Sequence, residues 1–220
     1  MRSAVVFLGP SLDRQAALAI LSADYRPPAA RGDITRAVSE GARIIGLIDG
    51  VFFQESSVGH REILAALRTG VRVVGASSMG ALRAAELHTL GMEGVGEVYR
   101  MYRDGVLVSD DEVALAFDPE SFIALSEPLV NIRATLNRAE EEGIIDPGTR
   151  GILLSVASSL YYPGRTYPRM VKEAEGLADP AALDRFGRWV GEGAVDLKRR
   201  DALQALERIR EILSGSGPST

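Results

Sequence analysis

The fold of this chain is decided by the stretch Val71-Arg72-Val73-Val74-Gly75-Ala76-Ser77-Ser78-Met79-Gly80-Ala81-Leu82-Arg83-Ala84-Ala85-Glu86-Leu87. Residues 71–74 are mostly β-branched and predict a buried strand. Residues 81–87 are strong helix formers with no helix breaker, so they predict a helix. Only small residues and Met79 lie between these two segments. The chain therefore passes from strand to helix through one tight turn that carries two serines.

This serine turn resembles a nucleophile elbow. Residues 76–80 match the pattern G-x-S-x-G, with alanine at the first glycine and Ser78 at the centre. Gly80 allows close approach of strand and helix, and the N–H of Met79 is a candidate oxyanion donor. Ser77 is the rival nucleophile. Two alternatives stay open, namely a serine that only caps the helix and a phosphate site at the helix start.

Composition excludes several classes of site. The chain has 220 residues, no cysteine and two histidines, so a disulfide framework, a thiolate zinc site and a cysteine nucleophile are excluded. We expect no metal and no cofactor. The net charge of −5 argues against a nucleic-acid partner. No signal peptide and no apolar run of bilayer length is apparent, so we expect a cytoplasmic protein with no membrane partner.

Arginine is strongly preferred to lysine in this chain. Of the 25 basic residues only Lys172 and Lys198 are lysines, and the other 23 are arginines. A lysine amine can lose its proton and act as a base, which an arginine cannot do. Lys198 opens the last predicted helix. It is either part of an exposed, salt-bridged helix end or the base that reaches the serine turn.

Two further apolar runs, residues 4–8 and 43–48, predict strands that are each followed by a turn and a helix. Strand–helix units in series predict a parallel sheet with right-handed crossovers. The carboxyl ends of the strands then meet at one edge of the sheet. This edge receives Gly9-Pro10-Ser11, with Ser11 as a helix cap, and also Asp49-Gly50 and the serine turn.

Asp49, Gly50 and His60 are additional candidates for the site. Asp49 and Gly50 follow a strand directly, and His60 lies in the first turn of the next predicted helix. A Ser-His-Asp arrangement is therefore an alternative to lysine as the base. The competing interpretations are a plain turn for Asp49 and Gly50 and a surface position for His60.

The second half of the chain shows helical patterns without a buried strand. We predict an α/β fold, a small parallel sheet flanked by helices, followed by an all-helical part. The predicted boundaries are an α/β core over 1–118, a helical region packed on it over 119–213 and a disordered tail over 214–220. Residues 25–31 and 91–96 are expected to be loops. The acidic run Asp110-Asp111-Glu112 predicts an exposed turn or a partner-facing patch, with a cation site as the alternative.

Several of these motifs together resemble the TfuA family, most specifically in the serine turn and weakly in the last motif. They are Asp49-Gly50-Val51-Phe52, His60-Arg61-Glu62-Ile63-Leu64, residues 75–87, Asp110-Asp111-Glu112-Val113-Ala114 and Lys198-Arg199-Arg200-Asp201-Ala202.

The resemblance implies an accessory protein for YcaO enzymes, which replace a backbone amide oxygen of a peptide with sulfur. It also implies hydrolysis of a thiocarboxylated ThiS-like sulfur carrier by a Ser-Lys pair, which releases sulfide for the YcaO partner. Carried over to this chain, the serine is Ser78, with Ser77 as its rival. The lysine is Lys198, since Lys172 lies in none of the motifs. The other function classes are a non-catalytic YcaO adaptor and a phosphate- or nucleotide-binding module.

Overall fold

The computed structural model describes residues 4–52 and 57–215. The chain divides into two compact units. The α/β unit contains the residues up to Asp110 and those from Lys198 onward, whereas the helical unit is Asp111–Leu197. The predicted boundary after residue 118 stays a prediction, but the last helix belongs to the α/β unit by its contacts.

The α/β unit is built on a five-stranded parallel sheet with the strand order β2-β1-β3-β4-β5. The predicted fold class, a parallel sheet with flanking helices followed by an all-helical part, is confirmed. The middle of the sheet aligns Val6, Gly46 and Val74. The strands are β1 (Ala4–Phe7), β2 (Asp24–Arg26), β3 (Ile44–Leu47), β4 (Arg72–Gly75) and β5 (Glu93–Gly94).

Among the described residues, five helices follow the strands in the α/β unit, four form the helical unit, and the last helix returns to the sheet. No helix within residues 4–52 and 57–215 is long and apolar enough to cross a bilayer. The helices are α1 (Arg14–Ile20), α2 (Asp33–Ser39), α3 (His60–Arg68), α4 (Met79–Leu87), α5 (Glu97–Arg103), α6 (Leu129–Glu141), α7 (Pro147–Ser159), α8 (Tyr167–Glu173), α9 (Pro180–Gly193) and α10 (Leu197–Ser214).

Two strands occur where the sequence predicted loops. β2 lies in the segment before two prolines, and β5 has only two residues. Both are edge strands of the sheet. Short edge strands carry weak local signals because pairing to a neighbour, rather than their own sequence, holds them extended.

Tyr25 fixes β2 to α1. The Tyr25 hydroxyl donates to the carbonyls of Ala17 and Leu21 at 3.0 and 2.9 Å. Burial raises the pKa of Tyr25 from 10 to about 12. Folding favours the protonated form of Tyr25. Its contribution to the free energy of unfolding is therefore complete below pH 10 and is lost as the pH rises through about 12.

We therefore expect Tyr25→Phe to lower the free energy of unfolding by about 1 kcal/mol at neutral pH. We also expect the variant to lose less stability than the wild type at alkaline pH. Urea unfolding at about pH 8 and about pH 11.5 measures both effects. An identical alkaline loss in the two proteins would contradict this assignment.

One hydrophobic cluster of the α/β unit packs α1 and α10 against the sheet. The sheet contributes side chains from β1, β3 and β4, and α10 contributes one continuous stripe. A Cβ placed on Gly46 would lie 2.7 Å from Cδ1 of Ile209, so α10 approaches the middle of the sheet closely. The stripe is Ala202, Ala205, Leu206 and Ile209.

The helical unit uses most of the predicted acidic cluster internally. Arg133 forms a bidentate pair with Glu112, which is buried. The fully buried Arg165 donates to Asp111 at 2.6 Å. The expectation of an exposed turn or partner-facing patch is therefore wrong for Glu112, whereas the side chain of Asp111 is 39% exposed and also pairs with Arg165. The sequence hid this because both arginines lie more than 20 residues away along the chain.

Candidate active site at the serine turn

The turn after β4 has a strained backbone at Ser77. Ser77 has a φ of +67°, which residues other than glycine rarely adopt. The N–H of Ser78 donates to the carbonyl of Ala76 at 2.7 Å, so residues 76–78 form a γ-turn with Ser77 at its centre. Such strain persists only where the surroundings enforce it, and it clusters at functional sites.

Close packing of α4 on the sheet enforces this turn. A Cβ on Gly80 would lie 1.7 Å from the carbonyl oxygen of Leu47, and a Cβ on Gly75 would lie 2.2 Å from the carbonyl oxygen of Gly80. The N–H of Gly80 also donates to the carbonyl of Ile48 at 3.3 Å. Gly80 therefore holds the helix start against the ends of β3 and β4, and this leaves no room for a wider turn.

Neither serine hydroxyl caps α4. Ser78 occupies the N-cap position, but its side chain makes no capping hydrogen bond. Ser77 is fully buried, and its Oγ has no hydrogen-bond partner among the described residues. The alternative in which a serine serves only as a helix cap is therefore wrong. A buried hydroxyl without a partner costs stability, so the fold maintains Ser77 at a loss.

The predicted oxyanion donor is available. Met79 is the first residue of α4, and its N–H makes no hydrogen bond within the described part of the chain. Gly50 supports this position, since a Cβ there would lie 3.0 Å from Cγ of Met79. The amide of Met79 lies one residue after Ser78 and two after Ser77, so either hydroxyl has the same donor nearby.

Asp49 organises the neighbouring loop rather than the serines. Its buried carboxylate accepts from the N–H of Gly9 at 2.9 Å and from the N–H and hydroxyl of Ser11 at 3.1 and 2.6 Å. The cap of α1 is therefore Asp13 and not Ser11. In this strand order ligands commonly bind between the ends of β1 and β3. Here the amides of Gly9 and Ser11 already donate to the carboxylate of Asp49.

His60 lies away from this arrangement. It is the first residue of α3, and about half of its side chain is exposed. Its Nε2 is 2.7 Å from Oε2 of Glu86, which also accepts from Arg83 at 2.7 Å. Asp49 is committed to the loop after β1 and His60 to Glu86. The structure therefore does not bring His60, Asp49 and a serine together as a hydrogen-bonded triad.

Lys198 is buried, with 2% of its surface exposed. The alternative of an exposed helix end is therefore wrong for this residue. Its two arginine neighbours are oriented differently, because Arg199 pairs with Asp13 at 3.1 Å and Arg200 is exposed. Lys198 lies four residues before Ala202, so it extends the stripe of α10 that packs on the sheet.

The direction of α10 brings Lys198 to the serine edge. Ile209 packs at Gly46 in the middle of the sheet, and Ile212 lies beside Ile44 and Val71 at the amino ends of the strands. The helix start therefore points to the carboxyl ends. The eleven-residue step from Ile209 back to Lys198 rises about 16 Å along α10, toward the carboxyl ends of the strands. Ser77 lies three residues after Val74 in the middle of β4, which is about 10 Å toward the same ends.

Asp201 fixes the position of the first turn of α10 relative to the start of α5. Its carboxylate accepts from the N–H groups of Glu97 and Val98 at 2.9 and 2.7 Å, and so it caps α5. It also contacts Gly96, where a Cβ would lie 2.3 Å from its Cγ. Burial raises the pKa of Asp201, although the two amide hydrogen bonds act in the opposite direction.

Gly96 lies two residues past Gly94, and Ser77 lies two residues past Gly75, with which Gly94 pairs. Lys198 lies one helical turn before Asp201 on the same face of α10, further toward the carboxyl edge. The strained serine and the buried lysine therefore both lie toward the carboxyl ends of the strands.

Comparison with known proteins decides the family. The model of the TfuA-like protein family matches residues 49–166, which is more than half of the 220 residues. This chain belongs to the TfuA-like family. Membership is consistent with an accessory role beside YcaO enzymes, with which this family works in general. No curated protein matches the sequence.

In this TfuA-like protein the matched region contains the serine turn, Asp49 and His60, whereas Lys198 lies beyond it. A surface cleft of about 540 Å³ has Met79 in its wall. Sequence reasoning missed the capping role of Asp201. The available signal was Gly96 directly before a helix, a position that lacks a side-chain cap of its own.

Proposed function

We propose that this TfuA-like protein hydrolyses the thiocarboxylate of a ThiS-like sulfur carrier and supplies the sulfide to a YcaO enzyme for peptide thioamidation. The observation that carries the proposal is the buried hydroxyl of Ser77 in a strained turn, which has no hydrogen-bond partner among residues 4–52 and 57–215. Buried Lys198 at the same edge of the sheet supports it. A fold that retains two unfavourable features at one residue has a use for that hydroxyl.

The first step forms an acyl-enzyme. The hydroxyl oxygen of the serine attacks the carbonyl carbon of the thiocarboxylate, and its proton passes to the amine of Lys198. The N–H of Met79 stabilises the developing oxyanion. The C–S bond then breaks, the sulfur takes up the proton from Lys198 and leaves as hydrosulfide, and the carrier remains as an ester on the serine.

The second step releases the carrier. Water attacks the ester while Lys198 accepts its proton, and the proton returns to the serine oxygen as the ester bond breaks. Overall, thiocarboxylate and water become carboxylate and hydrogen sulfide. No redox change and no cofactor is needed.

We favour Ser77 over Ser78 as the nucleophile. An elbow nucleophile occupies the strained residue of a strand-to-helix turn, and that residue is Ser77. Gly75-Ala76-Ser77 also supplies a glycine two residues earlier. Ser78, whose φ is −126°, remains the alternative.

The test compares the two lysines of the chain. We expect Lys198→Met to lower sulfide release from the thiocarboxylated carrier on the order of 10³-fold, since methionine fills the space but accepts no proton. Lys198→Arg is expected to be equally inactive because arginine stays charged. Lys172→Met, at an exposed position in α8, is the matched control and should retain full activity.

Colorimetric sulfide detection, with circular dichroism to verify folding, measures the effect. Unchanged sulfide release by a folded Lys198→Met variant would overturn the Ser-Lys proposal. If that variant, together with Ser77→Ala and Ser78→Ala, also sustained full coupled thioamidation, the protein would be a non-catalytic adaptor. Saturable nucleotide binding by titration calorimetry would instead indicate the phosphate-binding module.

A further inference from the structure

Residues 116–125, which precede α6 in the helical unit, form a short β-hairpin. Phe117 pairs with Ala124 in an antiparallel bridge, and the N–H of Leu125 donates to the carbonyl of Ala116 at 2.8 Å. At the other end, the N–H of Asp118 donates to the carbonyl of Ile123 at 2.9 Å. Backbone hydrogen bonds therefore close both ends of this short ladder.

The hairpin tip is fixed from within. Oδ1 of Asp118 accepts from the N–H and hydroxyl of Ser121, both at 2.8 Å, and from the N–H of Glu120 at 3.2 Å. These hydrogen bonds lower the pKa of Asp118. Phe122 has a φ of +59° and lies 6.0 Å from the ring of Phe117. The tip thus has one defined conformation, which includes a strained phenylalanine.

This hairpin carries large apolar side chains into solvent. Ile123 and Leu125 alternate with Ala124 along one strand, so both lie on the same face. They are 65% and 60% exposed. Two adjacent, exposed aliphatic side chains form a small apolar patch on the hairpin that a partner protein can cover.

Charge and backbone indicate what covers this face. Residues 113–132 contain no lysine or arginine, whereas Asp118, Glu120 and Glu127 are acidic. The amides of Phe117 and Ala124 make no hydrogen bond to any described residue and lie on the outer edges of the hairpin. These outward N–H groups can pair with the backbone carbonyls of another protein, and a lipid surface offers no such backbone.

We propose that the hairpin is the docking arm for the YcaO enzyme, which places an apolar recess bordered by basic side chains over Ile123 and Leu125. This inference rests on the proposed function for the identity of the partner. Aliphatic contacts supply the binding energy, and the acidic rim selects and orients the partner.

The test uses the full-length protein and its purified YcaO enzyme in titration calorimetry. The double variant Ile123→Ser/Leu125→Ser is expected to bind YcaO at least about 10-fold more weakly. Glu120→Arg is expected to weaken binding more at low salt than at high salt. Leu177→Ser is the matched control, since Leu177 is 62% exposed elsewhere in the helical unit. Sulfide release from the carrier without YcaO should be unchanged in all three.

Equal YcaO binding by the double variant and the wild type would overturn the docking arm while leaving the proposed function intact. A wild-type protein that releases sulfide from the carrier but does not bind YcaO would overturn the docking arm alone, and one that does neither would overturn both. Light scattering could instead show a dimer for the wild type and a monomer for the double variant, with unchanged YcaO affinity. The apolar face would then bind a second copy of this chain, and the inference would be wrong.

Discussion

Ser77→Gly is expected to make the protein more stable and to abolish sulfide release. Glycine adopts a φ of +67° without strain, which relieves about 1 kcal/mol. It also removes a buried hydroxyl that has no partner in the described structure, worth about 1–3 kcal/mol. The greater freedom of glycine in the unfolded chain offsets about 0.5–1 kcal/mol. We expect a net gain of about 1–3 kcal/mol in the free energy of unfolding.

This gain corresponds to an increase in melting temperature of about 2–4 °C per kcal/mol, which differential scanning calorimetry resolves. Loss of the nucleophile should lower sulfide release on the order of 10³-fold or more. Stability and activity would then change in opposite directions at one residue. This combination distinguishes a functional serine from a structural one, because a structural serine loses both together.

The neighbouring serine provides the control. Ser78 has a negative φ of −126°, so Ser78→Gly relieves no left-handed conformation, and its effect on stability should be less favourable than that of Ser77→Gly. Ser77→Ala removes the hydroxyl but retains the strain, so its gain should be smaller than that of Ser77→Gly. A lower melting temperature for Ser77→Gly would contradict the strain argument. Retained activity in that variant, with loss in Ser78→Ala, would assign the nucleophile to Ser78.

Arg165→Ala is expected to destabilise the helical unit by about 3–5 kcal/mol. Arg165 is completely buried and donates to the carbonyls of Ala157 and Leu160 at 3.0 Å each and to Asp111 at 2.6 Å. The truncation removes donors from the end of α7, leaves a carboxylate without its charge partner and opens a cavity. Arg165→Lys should recover only part of the loss, because an ammonium cannot match the planar fork of donors.

Urea unfolding followed by circular dichroism measures the loss. The matched control is Arg188→Ala, since Arg188 pairs with Asp184 at 2.7 Å on α9 while 72% of its side chain is exposed. Screened by water, that pair contributes less than about 0.5 kcal/mol. If Arg165→Ala cost no more than Arg188→Ala, burial would not be what makes this arginine important.

The sequence alone located the candidate site but not its internal geometry. Local propensity predicted the three central strands, the serine turn after β4 and the common edge at which the strands end. The preference for arginine singled out Lys198, which is indeed buried on α10. Local signals succeed here because strand, turn and helix in residues 71–87 depend on near neighbours in the chain.

Only the tertiary structure decided which residues do what at that edge. Asp49 bonds the loop 38–40 residues before it, and Asp201 caps α5 from more than 100 residues away. The strain at Ser77 arises because Gly75 and Gly80 allow α4 to press against two strands. These features depend on contacts between distant segments, and such contacts exist only once the chain has packed, so no local pattern specifies them.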